Sequence, residues 1–289
     1  MTGAPMAVTA DRGAAFRAMG YPFSLVSDMP EVEEAASRLF RSWIVDTNAG
    51  DHHIYELRAL EDGVGALYKD GLHVQRGNGA GSMLTWVVAD VSAKVLASAD
   101  DVVTVHAGAV SRHGVAVLLP APPNHGKTTT TIGLVRAGFD LLSDECAAIG
   151  LSDGDVHSFP RPLIVSPESM ELFPELRSSL PPWVERFRNP SFLLPAEDVR
   201  PGCLAGPSRA GFVVAPRYEA GGPTTLEPMS RADMLALLLS QTFNLSVVGS
   251  AGVERLAEML RDAECYRLRI GHLPGAIELI RSLVEGGPR

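Results

Sequence analysis

Residues 115–138 read VAVLLPAPPNHGKTTTTIGLVRAG, and no other stretch narrows the choice of fold as sharply. An apolar run ends in a proline-rich loop, and a segment of helix length and helical patterning follows it. Within the loop, Ala121-Pro-Pro-Asn-His-Gly126-Lys127-Thr128 fits the pattern G-x-x-x-x-G-K-[ST], with Ala121 in place of the first glycine. That pattern answers a physical demand. Backbone N–H groups must point at phosphate oxygens, a lysine must reach the terminal phosphates, and a hydroxyl must hold the metal. Gly126 permits close backbone approach, Lys127 is the cation and Thr128 the expected Mg²⁺ ligand. The helix that starts there turns its positive end to the anion. Asn124, His125 and Thr129 complete the expected nucleotide-binding set; the competing reading of His125 is a loop residue that faces water. Asn124 sits mid-loop, where a positive φ is expected and Asn tolerates one. Pro122 and Pro123 cannot donate, so they belong on the outer wall of the loop. Ala121 can stand for glycine only where φ is negative. The bland alternative is a proline-rich turn with a lysine at a helix start.

The second chemical signal is the pair Asp144-Glu145, placed after the apolar residues 139–142. One helix and one strand separate it from the loop, so the chain can bring two carboxylates back to the terminal phosphate and its metal. One of them can hold Mg²⁺, and the other can accept the proton of an attacking hydroxyl. Two solvated carboxylates at a strand end are the competing reading.

The rest of the chain frames this core. Residues 1–20 are small, polar and unpatterned, and are expected to form a loose arm. Residues 21–100 read as a small α+β domain. It has a helix from Pro30 that aligns Val32, Ala35, Ala36, Leu39, Phe40 and Trp43, then strands at 53–60, 66–70 and 72–76. Asp70-Gly71 marks a hairpin, because both residues tolerate positive φ. A glycine-rich loop over 77–81 then leads to a helix over 82–98. From 101 to 289 the order strand, strand, loop, helix, strand is that of an α/β nucleotide-binding core. Proline studs residues 160–228, with a strand at 211–216. Beyond it lie a helix after the capping pair Ser230 and Asp233, a second helix, the alternating strand Cys-Tyr266-Arg267-Leu268-Arg269-Ile270 and a last helix. Trp183, Arg186 and Arg188 could line a groove or simply pack in a loop. Arg267 and Arg269 read as a solvated strand face.

Composition removes several classes. With 25 Lys and Arg against 34 Asp and Glu the formal net charge is −9, which argues against a dedicated nucleic-acid binder. No apolar run approaches the roughly 20 residues that span a bilayer, so no membrane association is expected. Residues 1–16 contain Asp11 and no sustained apolar core, so a secretory signal is not expected either. Cys146, Cys203 and Cys265 show no metal-binding spacing; they read as reduced, buried thiols of a cytoplasmic protein. Self-association is left open.

With these residues in view, the chain resembles the HPr kinase/phosphorylase-related kinases. The likeness rests on His106-Ala-Gly-Ala-Val, GVAVLLPAPPNHGKTT, RAGFDLLSDE and Pro160-Arg161-Pro162-Leu163. It implies an α/β P-loop core of the type shared with phosphoenolpyruvate carboxykinase, ATP and Mg²⁺ as donor and metal, and transfer of the γ-phosphate to a hydroxyl. By the same resemblance Asp144 takes the acceptor's proton and Glu145 helps the metal. His106 lies near the transferring phosphate, and Arg161 touches phosphate or substrate. No counterpart of the family's glycine-rich run after the acidic pair is present, which points away from HPr as acceptor. A Ser or Thr of a peptide or protein is the preferred acceptor and a small-molecule hydroxyl the next. A protein that binds nucleotide without catalysis is the reading from a different class.

Overall fold

The computed structural model describes residues 13–46, 50–60, 64–177 and 191–286. In chain order its elements begin with β1 (Ala14–Ala18), β2 (Tyr21–Ser27), α1 (Pro30–Leu39), β3 (His53–Ala59), β4 (Val64–Lys69), β5 (Leu72–Asn78) and α2 (Gly79–Ser98). They continue with β6 (Val102–Arg112), β7 (Val115–Pro120), α3 (Lys127–Arg136), β8 (Asp140–Ser143), β9 (Cys146–Gly150) and β10 (Asp155–His157). Short pieces follow: β11 (Leu163–Val165), α4 (Pro167–Glu171), α5 (Pro174–Arg177), β12 (Phe192–Leu194) and α6 (Ala196–Val199). The chain closes with β13 (Ser208–Tyr218), β14 (Thr225–Pro228), α7 (Arg231–Ser240), α8 (Leu245–Asp262), β15 (Glu264–Ile270) and α9 (Leu273–Glu285). The protein is therefore of mixed α/β class. Among the described residues no helix is long and apolar enough to cross a membrane.

The chain divides into two compact units, one of residues up to Val95 with Ile164–Pro195, the other of Leu96–Leu163 with Ala196–Arg289. The first holds a five-stranded sheet in the order β1-β2-β3-β4-β5, parallel only between β2 and β3. The helical face expected from Pro30 onward is buried in full: Val32, Ala35, Ala36 and Leu39 in α1, then Phe40 and Trp43 in the turn after it. Phe40 and Trp43 stack at 5.6 Å, and Phe16 and Phe23 join them at 5.4 and 5.8 Å from Phe40. The Asp70-Gly71 turn has φ of 51° and 76° and joins β4 to β5 as expected. Three features differ from the sequence reading. The glycine-rich stretch 77–81, expected as a loop before a helix, is the end of β5 and the start of α2. The stretch expected as a loose arm contains β1, because Phe16 is fully buried against Phe23 of the neighbouring strand. And residues 164–195 group with the N-terminal unit, although nothing in their composition separates them from what precedes them. Trp183, Arg186 and Arg188 lie outside the described residues.

The second unit is built on an eight-stranded sheet in the order β10-β9-β6-β7-β13-β15-β14, with β8 also paired to β6. Strands β7, β13 and β15 run parallel, and the remaining pairs are antiparallel. Side chains alternate across β6. Val103, Val105, Ala107 and Ala109 join the core that contains Met234 and Leu238 of α7 and Leu256 and Leu260 of α8. The opposite face takes α3, and Gly108 is the reason it can approach. A Cβ there would stand 2.5 Å from Thr131 Oγ1. Burying each large apolar side chain of this core contributes about 1.5–3 kcal/mol. All three cysteines are free and buried, the expected outcome for small apolar side chains.

Candidate functional site

The loop between β7 and α3 has the backbone its residue types require. Asn124 has φ 65° and Gly126 has φ 88°, both left-handed. Ala121 is not among the described residues with positive φ, which is the condition for alanine to fill that place. Gly126 is the N-cap of α3, and the first backbone N–H groups after it have no acceptor within the helix. Lys127 is buried, and its Nζ donates to the carbonyls of Ala121 at 2.7 Å and Pro122 at 3.2 Å. The ammonium thus closes the loop on itself. Burial pulls the Lys127 pKa down, while Glu145 and Asp144 pull it back up. Thr128 and Thr129 are half-buried in the first helical turn. His125 turns back to the carbonyl of Pro123, with Nδ1 at 2.9 Å.

Strands β9 and β8 both run along β6, with His106 opposite Cys146 and Ala109 opposite Ser143; beyond Ala109 the register shifts, so that Val110 faces Leu141. Asp144 and Glu145 are the two residues between them, beside Gly108 and Ala107, and the Ala107 N–H donates to the Glu145 carbonyl at 3.2 Å. This pairing carries Asp144 into the interior and leaves Glu145 half-buried beside it. Asp144 is 2% exposed. Its Oδ1 receives Arg161 Nε at 3.4 Å, and its Oδ2 is buried without a hydrogen-bond partner. Burial pushes its carboxyl up to about 6; Arg161 works against that rise and Glu145 adds to it. Glu145 is different. Burial would raise its pKa too, but His106, Arg161 and Lys127 outweigh burial and hold the group below its ordinary value. His106 Nε2 lies 3.2 Å from Glu145 Oε1, and Arg161 Nη2 lies 3.4 Å from Glu145 Oε2.

Of the site residues expected from sequence, His106, Lys127, Asp144, Glu145 and Arg161 are therefore brought together, by short contacts or by mutual charge effects. Asn124, Gly126, Thr128 and Thr129 form the loop and helix start beside them. Sequence reasoning missed Gln241. It belongs to the segment between α7 and α8, which replaces β7 as the neighbour of β6 where β7 turns off into the loop. His106 N–H donates to the Gln241 carbonyl at 2.8 Å, Val105 bridges to Thr242, and Phe243 N–H donates to the Thr104 carbonyl at 2.9 Å. The Gln241 side chain meets His106 Nδ1 with Oε1 at 3.2 Å, and its amide can serve either ring tautomer by turning over. No local pattern announces this, since Gln241 reads as the last residue of a helix.

Do these residues suit a nucleoside triphosphate and a divalent metal? What the structure offers is a buried Asp144 Oδ2 without a hydrogen-bond partner, a place where an added donor would be satisfied. The Lys127 ammonium, held by two loop carbonyls, could exchange them for phosphate oxygens. Among the described residues no three or more His, Cys, Asp or Glu cluster as a metal centre, so the protein's share of a metal shell would be Thr128 and Glu145 beside phosphate. A depression of about 450 Å³ lies elsewhere on the second unit. It lies among Asp153, Arg209, Arg255 and Asp262, and carries none of this chemistry. No model of a protein family and no curated protein matches the chain.

Proposed function

We propose that this chain is an ATP-dependent kinase with an HPr-kinase-like P-loop core, transferring the γ-phosphate to a Ser or Thr hydroxyl of a peptide or protein. The observation that carries the reading is Asp144. A buried carboxylate with one oxygen unpartnered and a carboxyl pushed up to about 6 is ionised at neutral pH and basic enough to accept a proton. Phosphoryl transfer asks little covalent chemistry of a protein beyond positioning and charge stabilisation. In this reading Lys127 and the loop N–H groups hold the β and γ phosphates. The acceptor oxygen bonds to the γ-phosphorus as the bond to the β–γ bridging oxygen breaks, and the acceptor proton passes to Asp144. Arg161, fixed between Asp144 and Glu145, keeps the two carboxylates apart in role and neutralises part of their charge. His106 anchors Glu145 from the other side. A bound Mg²⁺, held by Thr128 and Glu145, would supply positive charge against the phosphate oxygens.

Two variants test this together. Lys127→Ala is expected to weaken ATP–Mg²⁺ binding in calorimetry. Asp144→Asn is expected to bind ATP nearly normally but lose about 10² to 10⁴ in turnover with labelled ATP and a panel of peptides and metabolites. Tight ATP binding with transfer to no acceptor would leave a nucleotide-dependent interaction protein instead. Asp144→Asn retaining more than about half of wild-type turnover, with chemistry rate-limiting, would remove Asp144 as the base.

A further inference from the structure

The sheet order places β6 on one side of β7 and β13 on the other. The loop that leaves β7 is thus flanked by two different surfaces. On the β6 side stand His106 and, paired with that strand, Asp144 and Glu145. On the β13 side stands Tyr218, the last residue of that strand. It is 58% exposed, one of the few large apolar side chains left open among the described residues. It is also close to the loop: its Cβ lies 3.6 Å from where a Cβ on Gly126 would be, and Ile270 Cδ1 lies 3.8 Å from the same point. Tyr218 is held on a fixed frame. The next residue, Glu219, donates its N–H to the Ile270 carbonyl at 3.0 Å. Thr224, a few residues on, accepts from Gly271 N–H at 3.2 Å and His272 N–H at 2.9 Å.

Strands β7, β13 and β15 are parallel, and ligands of such sheets bind outside the carboxyl ends of the strands. A nucleotide whose terminal phosphate faces the carboxylates beside β6 must run its other end away from them, across Gly126 and toward β13. An exposed aromatic ring on a rigid strand end offers a stacking face to any base at low ordering cost. From this juxtaposition we infer that Tyr218 is the platform for the base of the bound nucleoside triphosphate, over an apolar floor supplied by Ile270. The inference rests on the phosphate-loop reading above.

The test compares ATP with inorganic tripolyphosphate, which has the phosphates and no base. Binding of each to wild type, Tyr218→Ala, Tyr218→Trp and Lys127→Ala is measured by calorimetry, with folding checked by thermal melts. Tyr218→Ala should lose roughly five- to a hundredfold in ATP affinity, keep its tripolyphosphate affinity within about twofold, and be rescued for ATP by Tyr218→Trp. Normal ATP affinity in Tyr218→Ala, alongside weakened binding by Lys127→Ala, would overturn the platform and leave the loop standing. Equal losses for both ligands would overturn it too, because a structural role would have no preference for the base. If wild type bound neither ligand, the phosphate-loop reading would fall first and the platform with it.

Discussion

At the scale of single residues, the site separates two adjacent carboxylates by environment. Asp144 and Glu145 are neighbours in sequence, yet burial raises one, and His106, Arg161 and Lys127 lower the other against the same effect. Diverging values of this kind assign different tasks to chemically similar groups. If Asp144 is the base, it works only when ionised. The single-turnover rate of phosphoryl transfer should therefore rise with pH through about 6 and level off above it. A flat profile from pH 5 to 8 in such a measurement would contradict the assignment. In Asp144→Asn the residual rate should lose that inflection.

At the scale of elements, β6 organises the site. One edge carries β9 and β8 with the acidic pair between them; the other carries β7 and then the segment that contains Gln241 and Phe243. The clamp on that last segment is Asn244, buried at the start of α8. It accepts from Thr104 N–H at 3.0 Å and donates to the Ala99 and Val102 carbonyls, both at 2.8 Å. Asn244→Ala leaves two buried backbone groups, Thr104 N–H and the Val102 carbonyl, and the part-buried Ala99 carbonyl without this partner, at a cost of about 1–3 kcal/mol for each buried group left unpaired and not fully additive. Denaturant titration should show a drop of at least about 2 kcal/mol. Because the same segment positions Gln241 against His106, turnover should fall in the folded protein while ATP affinity holds. A variant as stable as wild type would show that the clamp is dispensable.

At the scale of the whole molecule, a buried carboxylate that is charged is a standing cost to folding. The sign follows from linkage. The Asp144 pKa is raised in the folded state, so its carboxyl favours folding below its unfolded value of 3.8 and disfavours it increasingly as pH rises through about 6. Asp144→Asn removes that titration. Its stability relative to wild type should climb between pH 4 and about pH 6 by on the order of 1–3 kcal/mol and stay level above, measured by urea unfolding at each pH. On the proposed reading the variant would lose most of its turnover while gaining stability relative to wild type toward neutral pH, as expected where function and stability compete for one group. A pH-independent difference would mean that Asp144 is not strained by burial.

What the sequence determined by itself is what neighbouring residues dictate. The left-handed backbone at Asn124 and Gly126, the Asp70-Gly71 hairpin and the buried stripe of α1 all follow from residue type and short spacing, because φ preferences and helical periodicity act within a turn. The capping contact of Ser230 with Asp233 N–H, 3.1 Å, belongs to the same class. Only the tertiary structure decided the rest. Whether Asp144 is solvated or buried depends on pairing between β6 and the β8–β9 strip, and nothing within the local sequence encodes that pairing. Gln241 reaches His106, and Tyr218 reaches Gly126, across long stretches of chain. Strand β1 is held by the burial of one phenylalanine against another strand, and the described residues of 164–195 group with the N-terminal unit and not with their neighbours in sequence. Such contacts are fixed by which surfaces exclude water together, a property of the folded chain and not of any window along it.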